Sequence, residues 1–192
     1  NDVLEVADET YAEAVDITKS LTIRKSGTGY TVNGDVTFDA KPITLSDATL
    51  AAGKVWRVTP NALIQNAISA ANLADTISVA AGTYAEQVVI DQALTLLGPN
   101  ADVNPNTGMR TAEAVIVPPT ILNASSSPRE WDWNAVVDIE ADDVNIKGFT
   151  ISGDNPVLAG YDYAGMNVEV GIGVYSEGNN VVLQNNIVET FT

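Results

Sequence analysis

The chain has 192 residues, 45% of them hydrophobic, with 25 acidic and 9 basic side chains and neither histidine nor cysteine. There is enough apolar material for one core or a little more, while a formal charge of −16 argues against nucleic acid as a partner and against docking on anionic lipid. The lack of cysteine rules out disulfides and thiolate metal sites, and no apolar run reaches the length of a membrane span, so no membrane insertion is expected.

The chain opens on Asn1-Asp2 without a recognisable leader, which makes a processed, excised or incomplete start the expectation. Residues 6–24 read VADETYAEAVDITKSLTIR. From 26 to 58 the residues Gly27, Gly29, Gly34, Pro42 and Gly53 punctuate an alternation of Val36, Phe38, Ile43 and Leu45, the two-residue period of strands. Thr59-Pro60 then has the form of a helix N-cap followed by proline at the first helical position. Leu63, Ile64, Ala67, Ile68 and Ala71 fall on one face at helical spacing, so a helix is expected near 60–72.

Residues 79–97 read VAAGTYAEQVVIDQALTLL, which matches the first motif at ten of nineteen positions across a spacing of 73 residues. Internal repetition of short alternating strands is the mark of a solenoid, because strands of two to four residues cannot stand as independent hairpins. The helix is read as a cap on the coil that starts near Ile77, covering backbone that would otherwise stay unpaired. Asn123-Ala124-Ser125 has the form of a glycosylation acceptor. A second similarity relates Val144–Ile151 to Val181–Val188 across 37 residues, with an insert from Asp154 to about Val170 rich in Gly, Asp, Asn and Tyr. Inward positions here are Val137, Ile139, Val144, Ile146, Phe149 and Ile151, and outward ones Asp138, Glu140, Asn145 and Lys147. Asn179-Asn180 and Asn185-Asn186 are assigned to coil corners, since asparagine tolerates left-handed backbone.

The run from Ala62 through Thr76-Ile77-Ser78-Val79, Gly82-Thr83-Tyr84-Ala85-Glu86 and Leu94-Thr95-Leu96-Leu97-Gly98 resembles the opening of pectin lyase-like β-helix proteins, pectin methylesterases among them. Most of residues 59–192 and a partial copy at 3–25 carry this resemblance. The first copy departs from it at Glu9, which stands where the second has Gly82. The resemblance implies an all-β fold, a right-handed parallel β-helix (a solenoid) with one N-terminal capping α-helix and a partial preceding β unit. Two units follow, residues 1–56 and residues 57–192. The architecture itself carries lyases, esterases, hydrolases and inert stalks, so function must be argued from a site.

No catalytic site is recognised. Polygalacturonase-like hydrolases would need a histidine that the chain lacks, and Arg110, Arg129 and Lys147, the basic residues available in the second half for lyase-like proton abstraction, sit in no lyase motif. Glu13 and Glu86 recur after the Thr-Tyr bend and are assigned to holding a turn amide, and Tyr11 and Tyr84 to filling a corner. Trp131, Trp133, Tyr161 and Tyr163 are the candidate carbohydrate-binding residues, because alternating aromatics on extended chain present both rings to one side; packing of loop against solenoid is the competing assignment. Asp138, Glu140, Asp142, Asp143, Asp154 and Asp162 are the candidate oxygen ligands for calcium, against the alternative of a solvated acidic face. The expected function is that of a non-catalytic structural or adhesive module of an extracellular or cell-surface protein, a piece of a fibre or surface layer, with a glycan or other copies of itself as partner. A polysaccharide-acting enzyme or a carbohydrate-binding module with catalytic coils downstream is the alternative.

Overall fold

The computed structural model describes residues 34–39, 48–120, 135–158 and 169–191 together with Val32, and, as backbone alone, the remaining strands within 2–31, 43–45 and 162–167. Among the described residues nine short strands precede the helix: β1 (Asp2–Val6), β2 (Thr10–Tyr11), β3 (Val15–Ile17), β4 (Leu21–Lys25), β5 (Tyr30–Val32), β6 (Val36–Phe38), β7 (Ile43–Leu45), β8 (Ala48–Leu50) and β9 (Trp56–Val58). After α1 (Ile64–Ala70) come β10 (Thr76–Val79), β11 (Gly82–Ala85), β12 (Val88–Ile90), β13 (Thr95–Leu97), β14 (Ala114–Val117), β15 (Ala135–Ile139), β16 (Asn145–Lys147) and β17 (Thr150–Ser152). The insert contributes β18 (Asp162–Tyr163) and β19 (Met166–Asn167), and β20 (Ile172–Ser176), β21 (Val182–Gln184) and β22 (Ile187–Glu189) follow. Among the described residues the fold is all-β, in parallel sheets, with one helix; the β18–β19 pair is antiparallel.

On each side of the helix, and with the β18–β19 pair set aside, the chain returns to the same sheet at every third strand. Before the helix it cycles through β1-β4-β7, β2-β5-β8 and β3-β6-β9. After the helix it cycles through β10-β13-β16-β21, β11-β14-β17-β22 and β12-β15-β20. One seven-stranded sheet spans both parts, because β9 pairs with β10 in parallel, Trp56 opposite Ile77 and Val58 opposite Val79. The 37-residue similarity in sequence is also the pairing register, with Ile146 opposite Leu183 and Ile151 opposite Val188.

Such stacking makes columns of inward side chains. Val36, Trp56, Ile77, Leu96 and Ile146 follow one another in register, and all are buried. Tyr84, Ile116 and Ile151 make a second column, and Ile90 and Ile139 belong to a third. Every inward position expected between Val137 and Ile151 is buried, and the outward Asp138, Glu140, Asn145 and Lys147 are half-buried or exposed. Each fully buried aliphatic side chain contributes about 1.5–3 kcal/mol against its exposed state, so the columns are the main source of cohesion. At one corner Gly98 and Gly148 stack. Gly148 has φ +79°, and a Cβ there would lie 2.1 Å from the amide nitrogen of Ala101, so only glycine fits. The next coil places Asn185 at this corner, with φ 57°.

The start of the helix differs from the expectation. The helix starts at Ile64, with Leu63 rather than Thr59 at the N-cap position, and that residue provides no side-chain cap. The Thr59 hydroxyl instead donates to the Phe38 carbonyl at 3.1 Å and to Asp39 Oδ1 at 2.6 Å, tying two coils together. Leu63 is 41% exposed, whereas Ile64, Ala67 and Ile68 are buried. The helix lies along the edge of β12, in the coil that starts with β10. It contacts β7, β9, β10 and β12, and the seven-stranded sheet runs past it.

Candidate functional site

Polar chemistry gathers at four places, each built by strands that lie far apart in sequence. The first is the helix N-terminus. Glu86 follows β11, and its carboxylate accepts from the amide of Ile64 at 2.8 Å and from that of Gln65 at 3.0 Å. The cap that the sequence assigned to Thr59 therefore comes from Glu86, 22 positions after the Ile64 amide it receives. Two orphan amides of the first turn are satisfied in this way. Burial pushes the Glu86 carboxyl above its ordinary range, and the two amide bonds pull the other way. Tyr84, buried beside it, donates its hydroxyl to the Ala80 carbonyl at 2.8 Å, and burial, then the nearby Glu86 charge, push the phenol's pKa above its ordinary value. Gln65 pairs with both backbone groups of Val89, donating to the carbonyl at 3.1 Å and accepting from the amide at 2.8 Å. Gln92 donates to the carbonyls of Ile68 and Ala71 at the other helix end. Glu86 is thus fully engaged in structure.

The second place is Arg110, the residue of most interest to a lyase reading. Its guanidinium makes a two-pronged pair with Glu113 at 2.7 and 2.8 Å and donates to the carbonyls of Val103 and Asn185 at 3.1 and 2.7 Å. Arg110 holds the Glu113 carboxyl below its ordinary range. Asn100, fully buried, accepts from the amide and hydroxyl of Thr111 and donates to the Thr111 carbonyl, closing the same loop. Such a guanidinium is committed to its carboxylate and carbonyl partners and is a coil-to-coil tie.

The third place is the acidic face. Asp138, on β15, lies opposite Val89 and Tyr175 in register and is half-buried, with an Oδ1 that has no hydrogen-bond partner. Burial, then the charges of Glu140 and Glu177, push its carboxyl up. Tyr175 donates to Glu177 at 3.0 Å. Asp142 and Asp143 sit one corner away and answer the asparagines of the next coil. Asp142 Oδ1 accepts from the amide of Asn179 at 2.6 Å and from its side chain at 3.0 Å, and Asp143 Oδ1 accepts from Asn180 at 2.6 Å. The Asn179 amide holds Asp142 below its ordinary range. Asn180 and Asn185 have left-handed backbone, as asparagine at corners permits. Asn186 receives the Phe149 amide at 3.0 Å and donates to the Ile146 carbonyl at 2.8 Å.

The fourth place is the neck of the insert, where Asp154 and Asn155 meet Glu169; sequence reading passed over Glu169, which between Val168 and Val170 has the outward position of an alternating strand. It is fully buried. Among the calcium candidates, the structure thus brings Asp138 near Glu140, pairs Asp142 and Asp143 with asparagines, and puts Asp154 at a separate site. Among the described residues, no group of three or more acidic side chains is arranged to hold a metal ion. Trp131, Trp133, Tyr161, Arg129 and the glycosylation triplet lie outside the described residues, and of Asp162 and Tyr163 only the strand backbone is described.

No protein-family model, no curated protein and no solved structure matches this chain. Among the described residues, no helix is long and apolar enough to cross a membrane.

Proposed function

We propose that this chain is a stretch of right-handed parallel β-helix, of the pectin lyase-like kind, from an extracellular or cell-surface protein, and that it serves there as a structural or adhesive module. Support for the coil comes from the cyclic return of the chain to each sheet in parallel register on both sides of the helix, the β18–β19 pair apart. Parallel crossovers are right-handed in nearly all folds, which supplies the hand. The observation that carries the functional reading is at the coil of β20, β21 and β22. Leu183 occupies the inward column of Ile77, Leu96 and Ile146, yet it is 48% exposed. Val188 occupies the column of Ile116 and Ile151, yet it is 52% exposed. Among the described residues nothing covers these two apolar side chains, and such a surface suits association with another chain.

The polar residues support the same reading, since Glu86, Arg110, Asp142 and Asp143 all join one coil to another. The test is electron microscopy and light scattering on the native protein from its source. Rods of constant width, lengthened by further coils or by stacked copies, are the expected result. A compact globular particle that releases reducing or unsaturated sugar from a panel of neutral and acidic glycans would overturn the reading in favour of a polysaccharide-acting enzyme.

A further inference from the structure

The insert leaves the coil after Gly153 and rejoins it at Glu169, and both ends meet at one backbone junction. The amide of Glu169 donates to the Gly153 carbonyl at 3.0 Å, and the amide of Asn155 donates to Glu169 Oε2 at 2.8 Å. Asn155, also buried, donates its side chain to the Pro118 carbonyl at 2.8 Å and accepts from the Val157 amide at 3.1 Å. Ser152 braces the start of the insert through its hydroxyl, which donates to the Asp154 carbonyl at 3.1 Å and accepts from the Asp154 amide at 3.2 Å.

Two oxygens at this junction have no partner. Glu169 is fully buried, and its Oε1 makes no hydrogen bond. Asp154 lies between the two residues that bond Glu169, and its Oδ1 is buried and equally unpartnered. An ionised carboxylate withdrawn from water with one oxygen unmet is strongly unfavourable, and proteins resolve such cases with a cation or with a proton.

We infer that Asp154 and Glu169 form a cation site at the neck of the insert, and that its ion is calcium. Both donors are hard carboxylate oxygens, and the sequence has no histidine or cysteine to attract a softer metal. Calcium accepts irregular sets of carboxylates, backbone carbonyls and waters, whereas magnesium demands near-octahedral geometry and gives up its water reluctantly. The ion would close the two ends of the insert onto each other and fix the insert against the coil. This site excludes Asp138, Glu140, Asp142 and Asp143.

The experiment is thermal unfolding of the intact protein in calcium chloride and in chelator, with calorimetric titration of calcium, for the native chain and for Glu169→Gln, Asp154→Asn and Glu140→Gln. At calcium well above its dissociation constant the native chain and Glu140→Gln should gain roughly 5 °C in Tm, with one ion bound per chain. Glu169→Gln and Asp154→Asn should bind calcium at least tenfold more weakly and lose the gain. If Glu169→Gln does not fold, Asp154→Asn alone decides. An unmoved native Tm with no heat of binding overturns the site. So does an equal gain in all four proteins, which would put the ion on the general acidic surface.

Discussion

Two edges of the same stack are treated in opposite ways. The edge of β12 faces α1, and there polar side chains do the work of a missing strand: Gln65 meets both backbone groups of Val89, while Glu86 and Gln92 satisfy the two ends of the helix. Among the described residues the edge at β21 and β22 has no comparable cover, and Leu183 and Val188 stand half exposed at register positions that are fully buried one coil earlier. The first edge is covered within the fold, and among the described residues the second is not. An unpaired strand edge is a template for association unless something covers or satisfies it.

The largest test of this contrast is a pair of truncations in one column. Ile146→Ala should lower the unfolding free energy by about 2–5 kcal/mol, since it opens a cavity between packed coils. Leu183→Ala should cost less than about 1.5 kcal/mol. Urea unfolding of both decides it, and equal losses would mean that Leu183 is covered in solution. Next in size is the tie through Arg110. Arg110→Ala leaves Glu113 without its cation and the Val103 and Asn185 carbonyls without their donor, and should cost about 3 kcal/mol; replacing Glu113 with Gln at the same time should recover part of that loss in a double-mutant cycle.

The helix cap should be worth less. Glu86→Ala removes the acceptor of two helix amides and is expected to cost about 2 kcal/mol, whereas Thr59→Ala, which leaves the helix start untouched, should leave helical circular dichroism unchanged. The smallest effects are those of pH, and the two carboxylates should act with opposite sign. Glu113 titrates lower in the fold than its ordinary value of 4.5, so its contribution is complete above that pH and is lost as pH falls through the folded pKa. Glu86 titrates higher than 4.5, so its contribution is present below that pH and is lost as pH rises through the folded pKa. Stability followed from pH 3 to 7 should therefore lose part of its acid limb in Glu113→Gln and part of its decline above about pH 4.5 in Glu86→Gln. Identical profiles would show that neither environment differs from water.

Much of the strand pattern was legible in the sequence because parallel coils repeat in register. Val144–Ile151 and Val181–Val188 align in sequence across the same 37 residues by which they pair in space. Alternation alone picked out Val137, Ile139, Ile146 and Ile151 as inward, because strand periodicity is local. The asparagine corners were legible for a similar reason, since left-handed backbone favours that residue at Asn180 and Asn185.

What lay beyond the sequence was every interaction whose partners come from different coils. Thr59 has the identity and spacing of an N-cap, yet a hydroxyl offered Asp39 and the Phe38 carbonyl at short range takes them, and the helix receives its cap from Glu86. Glu169 reads as an outward residue, and only the return of the chain onto Gly153 and Asn155 buries it. Local propensity and period determine which residues point inward, because they depend on neighbours two positions away. Which carboxylate caps, pairs or stays unsatisfied depends on which coil is stacked above it, and that is decided only when the chain has closed its turn.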